Sequence, residues 1–159
     1  PEKAQEAVHD LSRLLRYVLY ESNQPLVPIE KDLDFLGNYI ELMRIRLPRH
    51  VDLQTDIEAA TPSVMIAPLL FISLVENAFK HGVSYQEPSF IHITMDVFEG
   101  RLRYLVVNSS HQAPKGELHG IGLENVRKRL QLIYCQQCTL DIQQRATEYQ
   151  VLLLIPLQL

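Results

Sequence analysis

The chain has 159 residues, enough for one domain with an apolar core or for a small domain with a helical appendage. Apolar residues make up 47% and charged residues 21% of it, which excludes a disordered chain. The net charge of −4 argues against a nucleic-acid binder, which would carry a basic patch, so we expect no nucleic acid among its partners. The apolar run over 63–75 is too short for a membrane span and contains Pro68, so we expect no membrane contact.

Two amphipathic helices are predicted at the start of the chain, over 2–21 and 29–47. Apolar residues at alternating spacings of three and four form one stripe on each helix. The stripes consist of Ala4, Val8, Leu11, Leu15 and Val18 on the first helix, and of Leu33, Leu36, Ile40, Met43 and Leu47 on the second. Such a hairpin buries too little surface to be stable alone, so it needs the following domain or a second copy as partner. We expect a homodimer formed through this hairpin.

From His50 onwards the pattern changes to short alternating strands separated by two helices. Strands are predicted over 51–57, 90–98, 102–108, 138–144 and 148–156, and helices over 67–81 and 121–134. Pro68 suits the first turn of its helix, and Glu99–Gly100 is a tight turn between two strands. Because hairpins outnumber crossover units, we predict an α+β fold, a two-layer sandwich with one mixed sheet and helices on one face.

The two cysteines, Cys135 and Cys138, have the spacing C-x-x-C. A zinc site would need a second pair of ligands, and no such pair follows at a suitable spacing. A redox site would need a thioredoxin-like context, which the sequence lacks. We therefore interpret them as reduced thiols at the end of a helix.

The segment from Ser73 to Gly82 places polar side chains on an otherwise apolar helix. At helical spacing Ser73, Asn77 and Lys80 share one side, with Glu76 beside them. The amide oxygen of asparagine can ligate a hard cation, and lysine offers a point charge for phosphate. The alternative is a solvated polar face without a ligand.

The segment from Gly120 to Leu130 begins with two glycines directly after a polar loop and continues as a helix. Glycines let the backbone approach a ligand closely, and a helix N-terminus offers free N–H groups to a phosphate. Taken alone this pattern is weak evidence for a phosphate site, because glycine turns that only start a helix are commoner than glycine turns that bind phosphate.

Together the two segments resemble the N box and the second glycine box of the GHKL ATPases, the superfamily that includes gyrase, MutL and the histidine kinases. LVENAFKHG (74–82) and GIGLENVRKRL (120–130) are similar to the strings of the LytS-like sensor histidine kinases. LSRLLRYVLY (11–20) and FLGNYIELMRIRL (35–47) resemble the helical region that this family carries before its ATPase domain. The resemblance covers almost the whole chain, in the expected order and spacing.

The resemblance implies a division of the chain and a location for it. A helical hairpin over 1–48 would form the end of the dimerisation and phosphotransfer region, and an ATP-binding domain of the Bergerat (GHKL) fold would cover 49–159. The family consists of bacterial sensors, so we expect the cytoplasmic part of an inner-membrane protein. Because the chain begins with Pro1 inside a helical pattern, we expect further residues before it.

The resemblance also implies a site for ATP and Mg²⁺. Asn77 would ligate the metal, while Lys80 and His81 would approach the phosphates or the ribose. Glu76 would lie near the γ-phosphate and polarise the accepting imidazole, so Glu76, Asn77 and Lys80 are the expected catalytic set. The other expected nucleotide-binding residues are Ser73, Asn108, Ser109, Gly120, Ile121, Gly122, Leu123, Asn125 and Arg127. The glycines among them would cradle the phosphates beside an ATP lid over 109–119.

The adenine box departs from the family pattern. Where the family commonly has V-x-D-N-G, this chain has Val106, Val107, Asn108, Ser109 and Ser110. The amide oxygen of Asn108 can still accept a hydrogen bond from the adenine amino group, but without the strength of a carboxylate. We expect weaker nucleotide binding, and the substitution favours the alternative of a degenerate module that binds or dimerises without turnover.

The family's accepting histidine lies in a Pro-His-Phe motif, and no such string occurs in this chain. His9, followed by Asp10 and Leu11, has only a loose likeness to another histidine-kinase motif, so we assign no phosphoacceptor in the chain. The resemblance implies transfer of the γ-phosphate of ATP to a histidine outside these residues and then to an aspartate of a response regulator, typically of LytTR type. The chain by itself is expected not to autophosphorylate.

A hydrolytic GHKL ATPase is the third hypothesis. Such enzymes activate water with a glutamate one helical turn before the metal-binding asparagine. That position, four residues before Asn77, is Ser73 in this chain, which counts against hydrolysis.

Overall fold

The computed structural model describes residues 1–21, 23–58, 64–111, 121–134 and 136–157, with the backbone alone at 20, 21, 121 and 122. The described elements follow in this order: α1 (Glu2–Arg16) with a π-helical continuation (Tyr17–Glu21), β1 (Val27–Pro28), α2 (Ile29–Arg46), β2 (Val51–Ile57), β3 (Met65–Ile66), α3 (Leu70–His81), β4 (Ser89–Phe98), β5 (Arg101–Ser109), α4 (Ile121–Tyr134), β6 (Thr139–Gln144) and β7 (Glu148–Pro156). They form two compact units, residues 1–47 with 63–72 and residues 48–62 with 73–159.

In the first unit α1 and α2 pack against each other. The ring of Tyr17, just after α1, stacks on Phe35 of α2 with ring centroids 4.6 Å apart. The predicted stripe of α2 is only partly correct, because the buried side of this helix is rotated towards Ile29, Asp32 and Phe35. This side still includes the predicted Leu36 and Ile40.

The predicted stripe of α1 does not face α2. Its members Val8, Leu11, Leu15 and Val18 are exposed, and α1 buries Leu14 instead. The paired helices therefore leave an apolar side of α1 without cover from the described residues of their own unit.

The predicted start of α3 at residue 67 is wrong. The helix begins at Leu70, and Leu69 before it adopts a left-handed backbone with φ of 64°. The amide of Leu69 donates to Oδ1 of Asp32 at 2.8 Å, so this side chain holds the chain out of the helix. Pro68 therefore lies in a turn before the helix and not in its first turn.

A two-residue ladder in the first unit was not predicted. β1 and β3 pair antiparallel, Val27 with Ile66 and Pro28 with Met65. Strands of two residues are too short to show an alternating pattern, so the sequence offers no signal for them.

The second unit contains a five-stranded sheet in the order β2-β4-β5-β7-β6. β2 pairs parallel with β4 and the other neighbours are antiparallel, which confirms the predicted mixed sheet. Along most of β4, β5 and β7 every second side chain is buried, as the alternation of Ile91, Ile93 and Met95 in β4 shows. Glu99 and Gly100 both have positive φ, 51° and 72°, which confirms the tight turn between β4 and β5.

Candidate nucleotide-binding site

The polar residues of α3 occupy one side of an otherwise buried helix. Leu74, Val75, Ala78 and Phe79 are buried in the core. Glu76 and Lys80 are exposed, whereas Ser73 and Asn77 are half-buried. Asn77 therefore lies at the border between the core and the solvent-facing side, where a polar side chain can meet both a ligand and the protein interior.

Tyr149 of β7 joins α3 and α4 on one side of the sheet. Its side chain is 6% exposed, and burial raises the pKa of the hydroxyl above its usual value. The side chain of Asn77 and the charge of Arg127 both act on the same hydroxyl and partly oppose this rise in pKa. The side chains of Asn77 in α3 and Arg127 in α4 are therefore both in the neighbourhood of the Tyr149 hydroxyl.

The end of α3 approaches β5 closely at Gly82. A Cβ atom on this glycine would lie 2.8 Å from Cβ of Asn108 and 2.7 Å from the carbonyl oxygen of Ala78. Real Cβ atoms essentially never approach so closely, so only glycine allows the chain after α3 to rest on Asn108. Asn108 in turn pairs with Tyr149 across the strands, which makes Gly82, Asn108 and Tyr149 neighbours of one site.

Asn108 is 2% exposed, and its Nδ2 donates to the carbonyl oxygen of Ser109 at 2.9 Å. The amide nitrogen is thereby engaged within the protein, and the oxygen remains as the atom that can accept a hydrogen bond from a ligand. The hydroxyl of Ser109 is engaged too, since it donates to the carbonyl oxygen of Gly82 at 2.8 Å and accepts from the amide of Phe90 at 3.0 Å.

Lys80 and His81 lie together at the end of α3. Burial and, second, the charge of Lys80 lower the pKa of His81 below its ordinary value. The imidazole is therefore neutral at neutral pH, and Lys80 supplies the positive charge at this end of the helix.

The first turn of α4 contains Gly122, while Leu123 is buried in the core at 4% exposure. Asn125 and Arg127 are exposed further along the helix. Nη1 of Arg127 donates to the carbonyl oxygen of Leu140 at 3.2 Å, which fixes the direction of the guanidinium. Gly120 and residues 112–119 of the predicted lid lie outside the described residues, and for Ile121 only the backbone is described.

Two residues of this site were missed by sequence reasoning. Gly82 is the last residue of the segment LVENAFKHG, but its close approach to Asn108 is seen only in the structure. The sequence gives no sign that Tyr149 belongs to a site, because aromatic residues are common in strands with alternating polarity. His9, the weak phosphoacceptor candidate, is an exposed residue of α1 in the first unit.

Comparison with known proteins finds similar sequences and a similar fold among the histidine kinases. A family model described as "Histidine kinase" matches residues 1–51. The sensor protein LytS of Oceanobacillus iheyensis is 25% identical over 159 aligned positions, which cover 89% of this chain and 27% of the relative. The sensor histidine kinase YpdA of Escherichia coli is 29% identical over 84% of this chain and 26% of its own length. The chain thus spans about a quarter of the length of the curated relatives that it matches.

Among solved structures, the histidine kinase domain of the blue-light activated kinase from Erythrobacter litoralis EL346 superposes with a TM-score of 0.64. The match covers 96% of this chain and 74% of that domain at 18% identity, which establishes a shared fold. The chain is thus similar in sequence, over most of its length, to LytS-like sensor histidine kinases, and it shares the fold of a histidine kinase domain.

Proposed function

We propose that the chain binds Mg-ATP and forms the catalytic part of a two-component sensor histidine kinase. The γ-phosphate would pass to a histidine outside these residues and then to an aspartate of a response regulator. The observation that carries the proposal is the close approach of Gly82, at the end of α3, to Asn108 of β5, because it brings the predicted metal-binding helix next to the predicted adenine-binding residue.

The residues at this point suit a metal-bound nucleotide. The hydroxyl of Tyr149 is buried without a hydrogen-bond partner among the described residues, and Gly82 provides a close backbone approach beside Asn108. A polar ligand would satisfy the hydroxyl, and adenine could reach the free amide oxygen of Asn108. Asn77 would hold Mg²⁺ through its amide oxygen.

Phosphoryl transfer depends on positioning and on neutralising negative charge more than on covalent chemistry by the protein. Lys80 and Arg127 would supply positive charge for the phosphates, and Gly120 with Gly122 would place backbone N–H groups there. Glu76 is exposed, so it can reach an incoming imidazole and polarise it. His81, which is neutral, can donate or accept a hydrogen bond at the ribose or the phosphates without adding charge.

Calorimetric titration with Mg²⁺ and a non-hydrolysable ATP analogue tests nucleotide binding. We expect binding by the wild-type chain and loss of at least about tenfold in affinity for Asn77→Ala, since a metal ligand is removed. Gln137→Ala, which removes an exposed amide from the same unit, is the matched control and should bind as the wild type does. Undetectable binding by the wild type at millimolar analogue would contradict the proposal.

The proposal extends to partners and place in the cell. The helical hairpin over 1–48 would form a homodimer, and the domain over 49–159 would carry the nucleotide. The response regulator would be of LytTR type, and the chain would lie on the cytoplasmic side of a bacterial inner-membrane sensor. No helix in the described ranges has the length and apolar character needed to cross a bilayer.

A degenerate nucleotide-binding module without turnover is the second candidate. It is favoured by the adenine box, where the carboxylate is replaced by Asn108 and the hydroxyl of Ser109 is used inside the protein. Radiolabelled ATP, supplied with a separate polypeptide that carries an accepting histidine, distinguishes the two candidates. The kinase transfers label to the polypeptide, whereas the degenerate module binds nucleotide and transfers none. Stable label on His9 would contradict the expectation that the chain does not autophosphorylate.

A further inference from the structure

A cavity of about 270 Å³ lies between α1 and α2 in the first unit, and we call it the hairpin cavity. Its floor contains the rings of Tyr17 and Phe35, which are 5% and 6% exposed and stack on each other. Exposed charged side chains from both helices also line it: Arg13 and Arg16 of α1, and Lys31 and Asp34 of α2. The hairpin cavity thus combines an aromatic floor with a charged rim.

The charges around the hairpin cavity do not balance. Three cationic side chains and one carboxylate line it, so its lining carries a net charge of +2. Neither Arg13 nor Arg16 forms an ion pair with another residue in the described part of the chain. Because a concave surface lined mainly by one sign of charge focuses its electrostatic potential, the cavity attracts anions.

Lys31 occupies a position that helix electrostatics disfavour. It lies in the first turn of α2, where the positive end of the helix dipole repels a cation. The dipole of α1 favours Arg13 and Arg16 in its last turn, but it does not explain why they share a cavity with a third cation. An anion held between the helices would offset the repulsion among the three cations and would connect α1 to α2.

The backbone beside the hairpin cavity is also unusual. α1 continues into a π-helical turn over Tyr17–Glu21, and this turn begins with a residue of the cavity floor. Single turns of π-helix are rare and are frequently found at functional sites. The turn therefore supports a functional role for this end of the hairpin independently of the charges.

The charge, size and lining of the cavity indicate the class of ligand. A phosphate monoester carries a charge of about −1.5 to −2 near pH 7, which matches the net charge of the lining. Arginine binds phosphate through two parallel hydrogen bonds, and the half-buried Asn38 of α2 offers a further amide donor. The volume lies just below the range of about 300–1,000 Å³ that is typical of ligand pockets, so the ligand has to be small.

We propose that the hairpin cavity binds a small organic phosphate, a phosphate monoester with an apolar or aromatic body. The phosphate contacts Arg13, Arg16 and Lys31, and the body lies against the rings of Tyr17 and Phe35. The site belongs entirely to the first unit, so it does not depend on the proposed binding of nucleotide by the second. At about 3.6 residues per turn, the two arginines lie on the side of α1 away from its exposed apolar side chains, so a second copy that covered those would leave the cavity open.

Titration of the ¹⁵N-labelled chain with phenyl phosphate, followed by NMR of the backbone amides, tests the proposal. We expect saturable shifts of the amide signals over 13–17 and 31–38. Phenol, which lacks the phosphate, should cause no saturable shifts in either range. Inorganic phosphate, which lacks the ring, should shift the same signals but bind more weakly, because it makes no contact with the aromatic floor.

Substitutions of the two arginines test the phosphate contacts. Arg13→Gln and Arg16→Gln should each lower the affinity for phenyl phosphate by at least about threefold, and the double variant by at least about tenfold, since exposed charge-assisted hydrogen bonds are lost. Arg46→Gln removes an exposed cation from the other end of α2 and is the matched control, which should bind as the wild type does. All of these side chains are exposed, so the variants should fold, as circular dichroism would show.

The proposal would be overturned by the absence of saturable shifts at millimolar phenyl phosphate, by equal affinity for inorganic phosphate, or by an equal loss of affinity in Arg46→Gln. Shifts confined to 73–82 and to Asn108 would overturn it too, because they would place the phosphate in the candidate nucleotide-binding site. None of these results bears on the binding of Mg-ATP, which the calorimetric titration tests separately, so the two proposals can fail independently.

Discussion

At the scale of single residues, the candidate site depends on a glycine, which has no side chain to separate α3 from β5. Gly82 lets the chain leave α3 directly against Asn108, and a methyl group would meet both Asn108 and the backbone of Ala78. The hydroxyl of Ser109 bonds to the carbonyl oxygen of the same glycine, so the end of β5 and the end of α3 are joined. This contact fixes the end of β5 that carries Asn108, the residue proposed to bind adenine.

Gly82→Ala should destabilise the chain by about 1–3 kcal/mol, because the added methyl group has no free space. It should also weaken nucleotide binding, since Asn108 has to move. Gly37→Ala is the matched control, because a Cβ on Gly37 meets nothing within 4 Å. In the middle of α2 that change should stabilise the chain by about 0.5–1 kcal/mol. Chemical denaturation measures both, and equal unfolding midpoints for the two variants would contradict the steric argument.

Cys138 allows a second test at this scale. Burial raises the pKa of its thiol, so less thiolate forms near pH 8 than in a free cysteine. We expect alkylation of Cys138 by iodoacetamide to be slow in the folded chain and fast after denaturation, as measured by mass spectrometry of the peptide that contains it. Equal rates in the two states would show that the thiol is not protected.

At the scale of elements, one buried carboxylate organises the first unit. Asp32 of α2 is 1% exposed and accepts from the hydroxyl of Tyr17 at 2.7 Å and from the amide of Leu69 at 2.8 Å. It thereby ties the end of α1 and the turn before α3 to α2. This arrangement accounts for the late start of α3 and for the rotated buried side of α2.

Asp32→Ala should lower the free energy of unfolding by about 2–4 kcal/mol, because two buried donors lose their acceptor. Asp32→Asn keeps an oxygen at this position and should cost less. Asp34→Ala serves as control, because Asp34 is exposed and lies two residues further along the same helix. Its substitution should leave the free energy of unfolding nearly unchanged. Urea denaturation followed by circular dichroism measures all three, and equal midpoints for Asp32→Ala and Asp34→Ala would rule out this role.

At the scale of the whole molecule, the apolar side of α1 is the surface that calls for a partner. Val8, Leu11, Leu15, Val18 and Leu19 are between 42% and 64% exposed and lie along one side of the helical segment. Exposed apolar stripes of this size on a helix are typical of helix–helix interfaces. This fits the homodimer proposed above, in which a second copy would cover the stripe.

Leu11→Glu should convert the proposed dimer to monomer, because a charge would be buried in the interface. The single chain should stay folded, since Leu11 is 50% exposed within it. Glu6→Lys changes a charge on the opposite side of α1 and should leave the dimer intact. Sedimentation velocity measures the state of each variant, and a monomeric wild type would contradict the proposal.

The amino-acid sequence by itself determined the helices and the five strands of the sheet to within about three residues, the Glu99–Gly100 turn, the α+β class and the resemblance to LytS-like histidine kinases. These features follow from spacing and turn chemistry, which act between residues close in the chain. Only the tertiary structure decided that Tyr149 lies opposite Asn108, that Gly82 lies on Asn108 and that Asp32 holds Leu69. The physical reason is that such contacts join residues many positions apart, and their geometry depends on how the elements pack, which no single segment encodes.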